Sequence, residues 1–88
     1  MTLDFSPEAH DFFLRLSGPE RARVHEILEI IVADEPAEDI RVYFEHGHRV
    51  GADRNYIIWV RDQGPPWLVT HIQFANGAVR DAWDDQQW

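Results

Sequence analysis

Hydrophobic residues in the first half of the chain recur at helical spacing. Alternation over residues 2–5 predicts a short strand, and Ser6 followed by Pro7 predicts the cap and first turn of a helix. Two apolar stripes at the i, i+3, i+4, i+7 spacing follow: Ala9, Phe12, Phe13 and Leu16, then Val24, Ile27, Leu28 and Ile31. The break Ser17-Gly18-Pro19 between them predicts a helical hairpin, which ends where Pro36 removes a backbone donor.

The second half of the chain alternates with period two, as strands do. Residues 40–45 and 67–74 each predict a strand with one buried face. Residues 56–60 are apolar on both faces and predict a central strand. In the strand at 67–74, strict alternation places Leu68, Ile72 and Phe74 on one face and Trp67, Val69 and His71 on the other.

Turn residues lie between these strands. Residues 46–53 contain two glycines and are expected to connect the first two strands, and Gly64-Pro65-Pro66 predicts a turn before the third. Asn76-Gly77 is a strong signal for a two-residue hairpin, so residues 78–83 are expected to return antiparallel. The polar tail at residues 84–88 is expected to fray.

Together these elements predict an α+β fold, in which a short N-terminal strand and a helical hairpin pack on a three- to four-stranded antiparallel sheet. The chain has 88 residues, 44% of them hydrophobic, and is expected to form a single domain over residues 1–88. It contains no cysteine, which excludes disulfides and thiolate metal sites. No apolar run is long enough to span a membrane, and the acidic start is unlike a signal peptide, so we expect a cytoplasmic protein with no membrane partner.

Charge is distributed unevenly along the chain, whose formal net charge is −8. Residues 1–40 hold ten acidic residues against three arginines, whereas residues 41–61 hold four arginines against two acidic residues. The four are Arg41, Arg49, Arg54 and Arg61, and His46 and His48 lie among them. Because an acidic surface opposes non-specific binding to nucleic acid, this basic segment is where chemistry or an anionic partner is expected.

Several strings resemble the RelE/ParE superfamily of type II toxin–antitoxin toxins. The opening Phe5-Ser6-Pro7-Glu8-Ala9, and a second helix that ends at Glu35-Pro36, are similar to the first half of these toxins. The stretch Arg49–Val60 is similar to their sheet core, in which an arginine-bearing turn enters a strand of aliphatic and aromatic residues. The resemblance covers residues 3–75 and implies the same α+β arrangement.

The resemblance implies one of two activities. RelE-like members cleave mRNA on the ribosome without a metal, using basic and aromatic residues on a sheet face, whereas ParE-like members poison DNA gyrase. Both kinds are silenced by an antitoxin that wraps the toxin. The first activity predicts a ribosome-dependent mRNA endonuclease, with a cognate antitoxin, the ribosome and mRNA as partners and with no cofactor or metal.

Metal-independent RNA cleavage needs a base for the 2′-hydroxyl, an acid for the leaving oxygen and positive charge beside the phosphorane. In the resemblance, Arg54 matches the arginine before the core strand and Arg49 matches the basic residue upstream. With His71 as a proton-transfer group they form the predicted catalytic set, and Arg80 is a further candidate. His48 is an alternative proton-transfer group, and Arg61 is an alternative source of positive charge. Arg54 and His71 are expected to share the sheet face away from the helices. The predicted substrate-binding residues are His48, Tyr43, Arg61 and Trp67, with Trp59 as an alternative stacking residue and Glu45 as an alternative base.

A non-catalytic binding module on the same fold is the alternative. After the last core strand, nuclease members place a histidine or arginine and then a tyrosine, whereas this chain has residues 73–77, Gln-Phe-Ala-Asn-Gly. The chain is also acidic where the family is basic. Such a module would engage an antitoxin or inhibit a gyrase-type target. A metal site at His46 and His48 is not expected, because Gly47 predicts a turn and no third ligand stands out.

Overall fold

The computed structural model describes residues 3–33, 35, 37–61 and 67–75. Its elements in chain order are β1 (Leu3–Phe5), α1 (Pro7–Leu14), α2 (Gly18–Ala33), β2 (Arg41–Glu45), β3 (His48–Ala52), β4 (Tyr56–Arg61) and β5 (Trp67–Phe74). The described strands form one mixed sheet in the order β1-β5-β4-β3-β2. In this sheet β1 is parallel to β5, and the other neighbouring strands are antiparallel. The predicted α+β class is confirmed.

The sheet has more strands than the sequence predicted. Residues 46–53, expected to be a connection, contain β3, which pairs with β2 on one side and β4 on the other. The turn His46-Gly47 has positive φ at both residues, 48° and 78°, as a type I′ hairpin requires. The parallel pairing of β1 with β5 was not predicted either. The predicted return strand at 78–83 and the tail at 84–88 lie outside the described residues.

Both helices begin at serine caps. Ser6 accepts a hydrogen bond of 3.2 Å from the Ala9 amide, and Pro7 occupies the first helical position, as predicted. Ser17 and Glu20 form a capping box, in which the Ser17 amide donates to the Glu20 carboxylate (2.9 Å) and the Glu20 amide donates to the Ser17 hydroxyl (3.3 Å). The bond from the Ser17 amide is the main cause of a lowered pKa of Glu20, and side-chain hydrogen bonds from Ser17 and Tyr56 to the carboxylate add to it. The residues that determine the start of each helix therefore lie within four consecutive positions of the sequence.

The helical hairpin covers one face of the sheet, which we call the helix-covered face. All four residues of the predicted α2 stripe are fully buried there. From α1 and its C-terminal end, Ala9 and Leu16 are buried, while Phe12 and Phe13 are partly buried. The strands contribute Tyr56, Ile58, Val60, Val69 and Ile72 to the same core. The opposite face, which we call the open face, carries a smaller buried cluster of Val50, Ala52 and Ile57.

A β-bulge in β5 decides which face each half of that strand presents. Val60 lies opposite Val69 and Trp59 lies opposite His71, so Thr70 is an extra residue on β5. The Thr70 hydroxyl donates to the Trp59 carbonyl (3.3 Å), and the Ser6 hydroxyl donates to the Thr70 carbonyl (2.8 Å). The expectation of strict alternation in this strand was therefore wrong. The helix-covered face receives Trp67, Val69, Ile72 and Phe74, and the open face receives Leu68, His71 and Gln73.

Gly51 lets α2 approach β3 closely. A Cβ atom at this position would lie 2.4 Å from Cγ1 and 2.5 Å from Cδ1 of Ile31, and 3.1 Å from Cγ2 of Ile27. Both isoleucines are fully buried, so a close-packed core surrounds them and gives them little room to move aside. The missing side chain of Gly51 therefore sets the distance between helix and sheet.

We expect Gly51→Ala to lower the free energy of unfolding by about 1–3 kcal/mol, because the added methyl group overpacks the contact between α2 and β3. Ile31→Ala removes both atoms that this methyl group would meet most closely, so the double variant should lose less than the sum of the two single changes. Gly18→Ala is the control, since its added Cβ would meet nothing within 4 Å apart from its chain neighbours and the backbone of its own helix. Urea unfolding followed by circular dichroism measures all four variants. Strict additivity of the Gly51 and Ile31 changes would contradict the close contact.

Candidate functional site

The open face is a regular grid of side chains that the strand registers set. Three rows cross β2, β3, β4 and β5, and each row consists of residues that lie directly opposite one another. The rows are Glu45–His48–Arg61–Leu68, Tyr43–Val50–Trp59–His71 and Arg41–Ala52–Ile57–Gln73. The buried cluster of Val50, Ala52 and Ile57 therefore occupies the middle of the second and third rows, with polar and aromatic side chains on either side.

A groove of about 400 Å³ opens on this face. It is lined by Glu45, His46, His48, Trp59, His71 and Gln73. Arg61 lies directly opposite His48 on the neighbouring strand, and Tyr43 lies two residues before Glu45 on the same face of β2. We call the lining residues together with Arg61 and Tyr43 the groove site.

The β2–β3 turn positions two histidines of the groove site. His46 takes the first turn position with a φ of 48°, which few residues other than glycine adopt. The Nδ1 atom of His48 lies 3.0 Å from the His46 carbonyl oxygen. Because a carbonyl oxygen only accepts, this bond assigns a proton to Nδ1 of His48 and leaves Nε2 as the basic nitrogen of the neutral ring.

The bulge in β5 positions the third histidine. His71 lies on the open face opposite Trp59, and the two rings meet edge to face with centroids 6.1 Å apart and planes at 80°. The Nε2 atom of His71 lies 3.9 Å from the Glu8 carboxylate at the start of α1, and the His71 side chain is 63% exposed. An aromatic ring and a carboxylate therefore flank His71, while the imidazole stays accessible to a ligand.

Tyr43 and Arg61 add a protonated phenol and a permanent positive charge. Burial raises the pKa of Tyr43, Glu45 adds to the rise, and Arg41 opposes it. The phenol therefore stays protonated at neutral pH and serves as a hydrogen-bond donor or a stacking surface, not as a base. Arg61 lies at the exposed end of β4, where its guanidinium can meet an anion.

Arg49 and Trp67 lie on the helix-covered face, on the other side of the sheet from the groove site. The Arg49 guanidinium lies 4.9 Å from the Trp67 ring centroid and 5.4 Å from that of Phe44. Its Nη1 atom donates a 3.1 Å hydrogen bond to the carbonyl of Ile31, in the last turn of α2. A cation at a helix C-terminus is stabilised by the helix dipole. The sheet thus separates two of the predicted site residues from His71.

Arg54 lies far from His71 along the sheet. It occupies the exposed turn between β3 and β4, whereas His71 lies opposite Trp59, five residues further along the chain. At about 3.3 Å per residue this separation is roughly 16 Å. The structure therefore does not bring Arg54 and His71 together, contrary to the expectation from sequence. Arg80 lies outside the described residues.

The turn that carries Arg54 is built on a buried carboxylate. Asp53 accepts hydrogen bonds from the amides of Asn55 (2.8 Å) and Tyr56 (2.7 Å), and a third from Nε of Arg23 (2.8 Å). The side chain of Asp53 is 4% exposed. These bonds tie α2 to the β3–β4 turn, so Asp53 has a structural role in the fold.

Two of the predicted site residues, His48 and His71, line the groove, and two more, Tyr43 and Arg61, lie beside it on the open face. Trp59 and Glu45, which the sequence suggested as alternatives, join them. Gln73 was missed as a lining residue, although its position two residues after His71 on a strand is the signal that places both on one face. Among the described residues, no group of three or more His, Asp or Glu side chains is placed to hold a metal ion.

The strands that form the groove site carry few acidic residues. The acidic residues of the described strands are Asp4 and Glu45, and the other described acidic residues belong to the helices and connections. Glu8, at the start of α1, adds a carboxylate beside His71, and Arg41 and Arg61 on the open face offset part of this negative charge. An anion therefore meets less repulsion there than the net charge of −8 suggests.

The fold and the site define a small α+β domain with one helix-covered sheet face and one open, histidine-bearing face. Neither described helix combines the length and the apolar character that crossing a bilayer requires. Comparison of the chain with protein-family models, with curated proteins and with solved structures found no match. The groove site is therefore the main evidence for a function.

We expect Arg49→Ala to lower the free energy of unfolding by about 1–3 kcal/mol, because it removes the cation between two aromatic rings and a donor to the end of α2. Arg15→Ala is the matched control: its side chain is 78% exposed and forms an i,i+4 pair with Asp11, so its loss should cost about 0.5 kcal/mol or less. Urea unfolding measures both. Equal stability of Arg49→Ala and the unchanged chain would contradict the structural role of Arg49.

Proposed function

We propose that the chain is a RelE-like toxin that cleaves RNA without a metal ion, and that the groove site is its catalytic site. The observation that supports this is the grouping of His48, His71 and Glu45 around one groove, with Arg61 and Trp59 on the same face. These side chains supply a base, an acid, a positive charge and a stacking surface. The chemistry is the one that the sequence predicted, but Arg61 supplies the positive charge beside the phosphorane in place of Arg49 and Arg54.

The proposed reaction is an internal transfer at phosphorus. The ribose 2′-oxygen forms a bond to the adjacent phosphorus as the bond from phosphorus to the 5′-oxygen breaks. Nε2 of His48 accepts the proton of the 2′-hydroxyl, with Glu45 as the alternative base, and the His71 imidazolium donates a proton to the departing 5′-oxygen. Arg61 stabilises the negative charge of the phosphorane. The products are a 2′,3′-cyclic phosphate and a 5′-hydroxyl end.

Substrate is held by the two aromatic side chains of the open face. Trp59 lines the groove, and Tyr43 lies in the same row two strands away. Both present ring surfaces on which bases of single-stranded RNA stack, whatever their identity. The partners in this proposal are mRNA on the ribosome and a cognate antitoxin that silences the toxin in the cytoplasm, as the family resemblance implies.

We expect induced expression of the chain in a bacterial host to arrest growth and cut mRNA, and His71→Ala to lower the cleavage rate by about 10²–10⁴-fold, because it removes the general acid. Arg61→Ala should weaken cleavage as well, since it removes the charge beside the phosphorane. Arg54→Ala is the control, as its exposed turn lies away from the groove site. Primer extension on cellular mRNA measures cleavage, and thermal unfolding shows whether each variant folds. Undiminished cleavage by folded His71→Ala would exclude this mechanism.

A binding module without catalysis is the second candidate. The observation that favours it is the engagement of Arg49 with α2 and two aromatic rings, because that interaction removes a predicted catalytic cation from the site. The net charge of −8 also opposes binding of a polyanion. Growth arrest with intact mRNA would support a protein target such as gyrase. Normal growth with abundant folded protein would support a module that only engages an antitoxin.

A further inference from the structure

The outer edge of the sheet at β2 carries a self-complementary sequence. Within the described part of the chain, β2 has β3 as its neighbour on one side and ends the sheet on the other. A strand at the edge of a sheet presents backbone amides and carbonyls that another strand can pair with. The sequence of β2, Arg-Val-Tyr-Phe-Glu, places opposite charges at its two ends and an aromatic residue at its centre.

The hairpin geometry shows which residues of β2 point their backbone groups outward. The two-residue turn His46-Gly47 makes Glu45 and His48 the closing pair, which is hydrogen-bonded in a hairpin of this type. Alternation then directs the backbone groups of Tyr43 toward β3 as well. Those of Val42 and Phe44 point to the outer edge.

We propose that two copies of this chain form a dimer by antiparallel pairing of their β2 strands about a two-fold axis at Tyr43. In this register Val42 of each subunit exchanges backbone hydrogen bonds with Phe44 of the partner subunit. Arg41 then lies opposite Glu45 of the partner subunit, at both ends of the pair. The two sheets become one continuous sheet, with both open faces on the same side.

Charge complementarity selects this register among those that the backbone allows. At least one outward-pointing residue of β2, Val42 or Phe44, must pair with such a residue in β2 of the partner subunit, which restricts the two-fold axis to Val42, Tyr43 or Phe44. An axis at Val42 places Glu45 opposite Asp39 of the partner subunit, two like charges. An axis at Phe44 pairs Glu45 with Tyr43 and leaves Arg41 facing the turn of the partner subunit. With the axis at Tyr43, both ends of the strand carry an opposite-charge pair.

Exposure of Phe44 is a second observation that supports the dimer. Phe44 is 65% exposed on the helix-covered side of β2, beyond the area that the helices cover. In the proposed pair each Phe44 ring packs against Val42 of the partner subunit, so apolar surface is removed from water at both pairs. The pairing does not require Arg41 to leave its contact within the chain, because a guanidinium has five N–H donors and can serve two acceptors.

The dimer goes beyond the proposed function and does not depend on it. It would place Arg41 of the partner subunit beside Glu45, which lines the groove. Each groove site would then have a positive charge from the other subunit at its rim. Anion binding on the open face and dimerisation are nevertheless measured separately, so the proposed function and the proposed dimer can each be disproved without the other.

Charge reversal tests the pairing directly. We expect the unchanged chain to sediment between 10.3 kDa and twice that mass, according to concentration. Arg41→Glu and Glu45→Arg should each raise the dimer dissociation constant by about tenfold or more, because both end pairs become repulsive. A mixture of the two variants should form a heterodimer, and the double variant should recover the homodimer. Arg15→Glu and Glu29→Arg change the net charge equally on exposed helix positions and serve as controls.

The register has its own test in a chain that lacks cysteine. Tyr43→Cys places two thiols opposite each other at the two-fold axis, within the distance that a disulfide spans, so oxidation should give a covalent dimer. Arg41→Cys is the control, because its two thiols would lie about 13 Å apart along the strands. A chain that sediments at 10.3 kDa at every concentration would overturn the proposal. A dimer that withstands both charge reversals, or that crosslinks through Arg41→Cys and not Tyr43→Cys, would do the same.

Discussion

The bulge at Thr70 is the constraint on which the open face depends. One extra residue in β5 changes the alternation of that strand, so residues before and after it meet the helices on the same side. Two hydrogen bonds hold the bulge: one from the Ser6 hydroxyl to the Thr70 carbonyl, and one from the Thr70 hydroxyl to the Trp59 carbonyl. Ser6 also caps α1. A single serine therefore links the start of the first helix to the position of His71 in the groove site.

The arginines of this small domain divide between structure and surface. Arg49 packs between two rings and binds the end of α2, and Arg23 binds the buried carboxylate of Asp53. Both hold a helix against the sheet. Arg41 and Arg61 lie on the open face, where they offset the few acidic residues of the strands. Arginines that are close together in the sequence thus have two different roles: on one face of the sheet they hold a helix in place, and on the other they offset negative charge.

Much of the fold follows from local patterns. The two helical stripes, the Ser6 cap and the central strand were predicted because each depends on residues within one or two turns or within a strand. β3 was missed because Gly47 before it and Gly51 within it suggested a loop. One of them forms the type I′ turn, and the other makes room for Ile31. Both glycines are needed because of contacts with a neighbouring strand or helix. Hydrophobic periodicity and residue propensity carry no information about such contacts.

For the candidate site, the sequence by itself determined the kinds of side chain available: histidines, arginines and aromatic residues concentrated in the second half of the chain. It determined the helices as well, since their signals are local. Only the tertiary structure decided which of those side chains share a face. A shift of one residue along a strand moves every following side chain to the other face of the sheet. The bulge in β5 and the unpredicted strand β3 therefore place Arg49 and His71 on opposite faces, and His71 and His48 on the same face.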